Sequence, residues 1–302
     1  MTSPEKRIAV TGGTGFIGRS LLRLAKEDGY SVKALTRRGI GDDGIEWVKG
    51  DLDNEAALEA LISGTDTVIH LAGLTKAPTR EQLITANGGA AGRLADLAAK
   101  AGVRRFILVS SLAAREPHLS PYAESKRAGE NAVRANAGNM DVVIVRPAAI
   151  IGPGDPATAQ MLDAMKRGWL PVPGSSRRDE TRLSFMYVDD IARFIIDMVD
   201  GHSSEKPVEP YAEQGEVSWT DLTETASKIL SKRVRLLPVG PLILFPAAFL
   251  TQSICALFGQ STFFNTGKVR EMLHNDWSGS TIMDGARPLE ESLALAFEQD
   301  KA

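Results

Sequence analysis

The chain has 302 residues, 43% hydrophobic and 24% charged, an ordinary globular composition that argues against disorder and leaves room for one α/β domain with a smaller lobe. A formal net charge of −3 gives no global basic field, so nucleic acid is not an expected partner. A single cysteine, Cys255, excludes an internal disulfide framework, and the four histidines (His70, His118, His202, His274) lack ligand spacing, so no metal site is expected.

The short polar stretch before the first strand has no room for a signal peptide, which with the cysteine usage points to a cytoplasmic protein. From Arg7 to Arg146 short β-rich runs alternate with helical runs, the pattern of a parallel sheet covered on both faces. Strands are expected at Ile8 to Thr11, Ser31 to Leu35, Glu46 to Lys49, Thr67 to Leu71, Phe106 to Ser110 and Val142 to Val145, with helices around 16–27, 54–62, 80–101 and 121–136. The fold class is a Rossmann-type doubly wound sheet: a dinucleotide-binding domain over 1–150, rejoined by 187–200, and a substrate lobe over 151–186 and 205–302. Right-handed crossovers put ligand sites outside the carboxyl ends of the strands.

The first such end is Val10-Thr11-Gly12-Gly13-Thr14-Gly15-Phe16-Ile17-Gly18. Gly12 lets the chain turn off the strand, Gly15 lets backbone approach a pyrophosphate, and Gly18 lets the helix pack close to the sheet. With the helix N-terminus supplying free N–H groups, Gly12, Thr14, Gly15, Phe16, Ile17 and Gly18 are expected to line a dinucleotide. The second strand ends in Leu35-Thr36-Arg37-Arg38, without the acidic residue that would bond the ribose hydroxyls of NAD. Arg37 and Arg38 suit a 2′-phosphate instead and favour NADP, with NAD the alternative; a solvated pair of arginines is the bland reading. Asp51, in Gly50-Asp51-Leu52, either accepts from an adenine amino group or caps the next helix. His70-Leu71-Ala72-Gly73 ends the fourth strand with small residues that leave space for a cofactor, and His70 reads as structural.

Asn87-Gly88-Gly89 falls inside the long helix, where each glycine costs about 1 kcal/mol relative to alanine, so something must pass close to it. Asn87 then offers a polar group to an active-site water or a backbone carbonyl, or else faces solvent from a bent helix. Further on, Val109-Ser110-Ser111 ends a strand and Tyr122-Ala123-Glu124-Ser125-Lys126 opens a helix. Tyr122 and Lys126 share one helix face, and a neighbouring ammonium favours the ionised phenol, which brings it into range for proton transfer.

With these motifs the chain resembles the extended short-chain dehydrogenase/reductases, the superfamily of the nucleotide-sugar epimerases and dehydratases, from about Arg7 to Asp190 and faintly to Trp277. The carriers also include Arg146-Pro147, Gly152-Pro153-Gly154-Asp155 and Tyr187-Val188-Asp189-Asp190. The resemblance implies that Tyr122 is the catalytic acid/base, that Lys126 binds the nicotinamide ribose and lowers the tyrosine pKa, and that Ser111 orients the reacting oxygen, with Ser110 as fallback. It also implies a role for Asn87 as the central-helix asparagine and for the Pro147 backbone against the nicotinamide carboxamide. Leu52, Leu71, Ala72, Gly73 and Ile150 complete the expected cofactor contacts. A homodimer through the tyrosine helix and the long helix before it is a further implication. Two departures stand out: Ser111 and Tyr122 lie closer together than in many extended members, and no arginine aligns clearly before Tyr187, Arg182 being the nearest.

Beyond residue 151 the pattern loosens. Arg177, Arg178 and Arg182 either bind a substrate diphosphate or form a solvated loop. Leu236 to Phe258 is nearly uncharged but is broken by Pro238, Pro241 and Pro246. The expectation there is a buried or pocket-lining helix pair with Cys255 as an inert buried thiol; peripheral membrane contact or an apolar substrate mouth is the alternative. The function expected from all this is an NADP(H)-preferring oxidoreductase acting at a carbinol or carbonyl carbon. The alternatives are a nucleotide-sugar epimerase/dehydratase with tightly bound NAD, or a cofactor-binding assembly or regulatory protein with little turnover. The substrate is a small molecule, either a nucleotide-sugar or a hydrophobic alcohol or ketone.

Overall fold

Successive residues of a strand face opposite sides of its sheet, so a strand that is apolar throughout needs cover on both faces. The computed structural model of the chain, which describes residues 6–38, 44–174, 181–201, 204–212 and 216–299, shows that cover. In chain order it begins with β1 (Arg7–Thr11), α1 (Phe16–Glu27), β2 (Ser31–Thr36), β3 (Glu46–Lys49), α2 (Glu55–Ile62) and β4 (Thr67–His70). It continues with α3 (Arg80–Ile84), α4 (Ala90–Lys100), β5 (Arg105–Val109), α5 (Pro121–Asn136) and β6 (Asp141–Val145). Among the described residues these six strands form one wholly parallel sheet in the order β3-β2-β1-β4-β5-β6, the order of a Rossmann fold.

One face of the sheet, with Ile8, Val10, Ile69, Ile107 and Val143, packs against Leu21 and Leu22 of α1 and against Ile191 and Ile195 of a later helix, α7 (Val188–Asp200). The other, with Ala9, Val68, Phe106, Leu108 and Ile144, packs against Leu58 and Leu61 of α2, Leu94 of α4 and Val133 of α5. The expected strands and helices are each present to within one or two residues, Leu71 and Ser110 falling just outside theirs. The exception is the long helix, where α3 and α4 are separated by a π-turn over Thr85–Gly89.

The remainder is built from small parallel pairs. It comprises β7 (Ala149–Ile151), α6 (Pro156–Arg167), β8 (Trp169–Pro173), β9 (Arg182–Leu183), β10 (Phe185–Tyr187), α7 (Val188–Asp200) and β11 (Pro210–Tyr211). There follow α8 (Trp219–Ile229), β12 (Arg235–Val239), α9 (Pro241–Leu257), α10 (Thr266–Leu273), β13 (Asp276–Trp277), β14 (Thr281–Ile282) and α11 (Leu289–Gln299). Its own core gathers Ile151, Met165, Val172, Phe185, Leu222 and Phe297. Helix α7 packs on the large sheet, and the strand before it, β10, pairs with β7 instead of joining that sheet.

Leu236 to Phe258 is not a buried helix pair. It is the end of a strand followed by the single helix α9, of which only Leu244 and Ala248 are buried, and Cys255 on it is half-buried. The segment is apolar almost all round, so hydrophobicity alone gave no direction to its burial.

Candidate active site

The turn after β1 is closed by backbone. Gly12 has a φ of +76°, and a Cβ there would lie 2.6 Å from the Ala72 amide nitrogen, so only glycine lets the exits of β1 and β4 touch. A Cβ on Gly18 would lie 2.2 Å from the Gly12 carbonyl oxygen, which fixes how near α1 stands to the loop. Gly15 N-caps α1 without a side-chain cap, and its N–H donates to Gly12 O at 2.9 Å. The first-turn amides therefore face a loop whose crest, at Thr14 and Gly15, is exposed. This cradle fits a pyrophosphate, with Ile17 packed into the core behind it and Phe16 against Gly152.

Arg37 and Arg38 follow β2 and are both exposed. The backbone there is held by Thr36, whose hydroxyl donates to Arg38 O at 2.7 Å, and among the described residues neither guanidinium has an ion-pair partner. Asp51 does not cap α2: Asn54 does, accepting from Ala57 N at 3.0 Å, while Asp51 is exposed and its side chain accepts from Asp53 N at 3.0 Å. Leu52 packs against the core beside it. After β4, Leu71 and Ala72 are half-buried and Gly73 is exposed, with Leu71 N donating to Thr11 O at 3.1 Å. His70 is structural as read: it is buried, lies 2.6 Å from the Thr11 hydroxyl, and burial with the Lys126 charge lowers its pKa to about 3.

The π-turn carries Asn87 inward, and the side chain is buried, not solvent-facing. Its Nδ2 donates to Leu74 O at 2.8 Å and to Ser125 Oγ at 2.9 Å, and its Oδ1 accepts from Leu74 N at 2.7 Å. Asn87 thus ties the loop after β4 to α5. The close neighbour that the glycines foretold is α5 itself: a Cβ on Gly88 would lie 3.3 Å from that of Ala128, and one on Gly129 only 2.6 Å from Asn87 O.

Ser111, Tyr122 and Lys126 converge on the same end of the sheet. The Ser111 hydroxyl lies close enough to Tyr122 to counter the rise in its pKa, and Ser111 Oγ accepts from Ala113 N at 3.2 Å. Ser110 points elsewhere, its hydroxyl donating to the buried Glu130 at 2.6 Å, so the two serines are not interchangeable. Lys126 donates to Val109 O at 2.9 Å and its Nζ would lie 3.7 Å from a Cβ on Gly73, beside the opening that Gly73 leaves. Burial lowers its pKa to about 8 against the opposing pull of Glu130.

The expected depression of the tyrosine is not present. Burial raises the Tyr122 pKa, the nearby Ser111 hydroxyl works against that, and the Glu271 charge adds to it. Helical spacing gave the shared face but not the aim of the ammonium, which is spent on the Val109 carbonyl. Pro147 is buried with its carbonyl accepting from Leu112 N at 2.8 Å, and Ile150 is half-buried in β7. Arg182 pairs with Glu216 at 3.3 Å, whereas Arg177 and Arg178 lie outside the described residues.

The sequence reading missed the polar core beneath this constellation. Arg146 spans Glu130, with Nη2 to Oε2 at 2.6 Å, and Glu209, with Nη1 to Oε1 at 3.1 Å, all three being buried. Glu130 lies four residues beyond Lys126, the one signal that pointed to it; Glu209 had none. A second miss is Glu271 on α10, also buried, which accepts from the N-cap hydroxyl of α5, Ser120, and pairs with Lys268 at 2.9 Å.

A glycine cradle, a strand-end serine and a Tyr-Lys helix on a six-stranded Rossmann sheet define a dinucleotide-dependent enzyme of the short-chain class. The chain matches the NAD dependent epimerase/dehydratase family over residues 8–212 and belongs to that family. It is 38% identical over 301 residues to a ceramide reductase of Caulobacter vibrioides, covering 96% of this chain and 90% of that protein. It is 27% identical over 259 residues to a UDP-glucose 4-epimerase of Vibrio cholerae, covering 78% and 79%. Among solved structures, that of gox2253 shares the fold with a TM-score of 0.75 at 21% identity, covering 98% of each chain.

Proposed function

We propose that the chain is an NADP(H)-preferring reductase of a long-chain lipid ketone. The observation that carries the reading is the 38% identity to a ceramide reductase across 96% of the chain. The short stretch between Ser111 and Tyr122 and the uncharged helix α9 support a hydrophobic substrate over a nucleotide-sugar. The exposed Arg37 and Arg38, with no acid after Thr36 at the end of β2, support a 2′-phosphate.

When bound, the dinucleotide supplies the hydride to the carbonyl carbon. The chain's residues do the rest. Tyr122 gives its hydroxyl proton to the carbonyl oxygen and Ser111 holds that oxygen by a hydrogen bond. Lys126, charged at neutral pH, would hold the ribose next to Gly73. Asn87 keeps the loop after β4 and the first turns of α5 in register. Residues 151–186 and 205–302 form the substrate side, and a homodimer through α4 and α5 belongs to the same reading.

The test is turnover of a ceramide-like long-chain ketone with NADPH, followed by loss of nicotinamide absorbance. Wild type should reduce it, and Tyr122→Phe should be slower by about 10²–10⁴-fold. Interconversion of UDP-glucose and its 4-epimer by protein carrying a non-exchanging NAD, with no ketone reduction, would replace this reading by the epimerase.

A further inference from the structure

Helix α9 reverses the usual order of a surface helix. It contains no charged residue, and the narrow face it buries, Leu244 and Ala248, packs against Val269, Phe264 and Leu273 in and before α10. At about 100° per residue, Leu242, Pro246, Phe249, Leu250, Ser253 and Leu257 fall in one arc opposite that face, flanked by Ile243 and Ile254. This arc looks outward: Leu242 is 92% exposed, Leu257 83%, Phe249 66% and Leu250 61%. Phe258 and Phe263 extend it at 76% and 43% exposed, with the Lys76 ammonium 4.6 Å over the Phe263 ring. A contiguous apolar stripe on an outer face marks a docking surface.

The charge around the stripe says what it docks on. Helix α10, which packs against α9, exposes Lys268 and Arg270 while its acid, Glu271, is buried, and Lys76 stands over Phe263. These cations border the stripe on a chain whose net charge is −3. An apolar stripe bordered by cations suits the headgroup zone of an anionic bilayer. A second copy is a poorer partner, because a two-fold contact through the stripe would bring Lys76, Lys268 and Arg270 towards their own copies. No helix among the described residues is long and apolar enough to cross a membrane, so α9 would lie in the interface plane.

The stripe is also coupled to the site. Helix α10 carries α9 on one side and meets the N-terminus of α5 on the other, where a Cβ on Gly267 would lie 2.9 Å from that of Ser120 and Glu271 accepts from Ser120. Tyr122 is two residues further along α5.

We propose that α9, with Phe258 and Phe263, docks the enzyme on anionic membrane and that the lipid ketone passes from the bilayer to Tyr122 along this side. The second half of the proposal rests on the function proposed above; the first does not.

The experiment is co-sedimentation of the full chain with vesicles of phosphatidylcholine alone or mixed with phosphatidylglycerol, for wild type and Leu250→Glu/Leu257→Glu, whose exposed positions leave folding intact by circular dichroism. Wild type should partition onto the phosphatidylglycerol vesicles, and the double variant should partition about 10-fold less. The variant should keep its kcat/KM on a water-soluble short-chain ketone and lose about 10-fold on a long-chain ketone presented in vesicles. Equal partitioning of the two proteins, or none by either, overturns the docking. A lipid-free dimer that the variant turns into monomer assigns the stripe to a second copy and also overturns it. Vesicle binding as expected, with neither ketone reduced by wild type, removes the substrate route and leaves the docking.

Discussion

Lys126 Nζ donates to the Val109 carbonyl oxygen at 2.9 Å, so the last residue of β5 holds the ammonium of α5 at the mouth left open by Gly73. With its pKa lowered by burial to about 8, this lysine is charged below that pH and neutral above it. If the charge holds the ribose, kcat/KM for reduction should be flat below pH 8 and fall about tenfold per unit above it. Lys126→Arg should move the break upward, since a guanidinium stays charged. A pH–rate profile in which Lys126→Arg keeps the same break would assign it to another group.

The two adjacent serines should separate chemistry from stability. Ser111→Ala removes the hydroxyl beside Tyr122 and should lower kcat by about 10²-fold with little change in unfolding free energy. Ser110→Ala takes a donor from the buried Glu130 carboxylate and should cost roughly 1.5–3 kcal/mol in urea unfolding, with kcat nearly kept. The opposite pattern would exchange their roles.

His70 should make the fold acid-sensitive. Its folded pKa, about 3, lies below the unfolded value of 6.5, so between those values the unfolded chain binds more protons and stability falls as pH falls. From pH 7.5 to 5 the loss should be about 2 kcal/mol from this group alone. His70→Leu should lack that increment when urea midpoints at the two pH values are compared, whatever its absolute stability.

Arg37 should set the choice of cofactor. Titration by nicotinamide fluorescence should show NADPH binding tighter than NADH in wild type, and Arg37→Ala should weaken NADPH by about 10-fold or more while leaving NADH unchanged. Equal weakening of both would place Arg37 away from the 2′-phosphate.

The sheet was legible because its strands are apolar on both faces and are punctuated by glycines, a signal carried by composition and period. The glycine turn, and the shared helix face of Tyr122 and Lys126 on α5, followed from local spacing for the same reason. What spacing cannot carry is direction. Asn87-Gly88-Gly89 was visibly out of place in a helix, yet nothing in it said that the turn is π or that Asn87 reaches Ser125. Glu130 carries no local signal beyond its place four residues after Lys126, and Arg146, from β6's end, and Glu209, far along the chain, close over it. On α9 the uniform hydrophobicity erased the contrast between faces by which burial is read.

The π-turn over Thr85–Gly89 also acts as a length marker. A π-turn holds one residue more than an α-turn. Deleting one residue there would restore ordinary winding and rotate α3 by about 100° relative to α4. The capping box at Thr79 and the Asn87 bridge to Ser125 would no longer both be satisfied. In an alignment of relatives, a gap at this point would therefore be expected to travel with loss of asparagine at the position of Asn87.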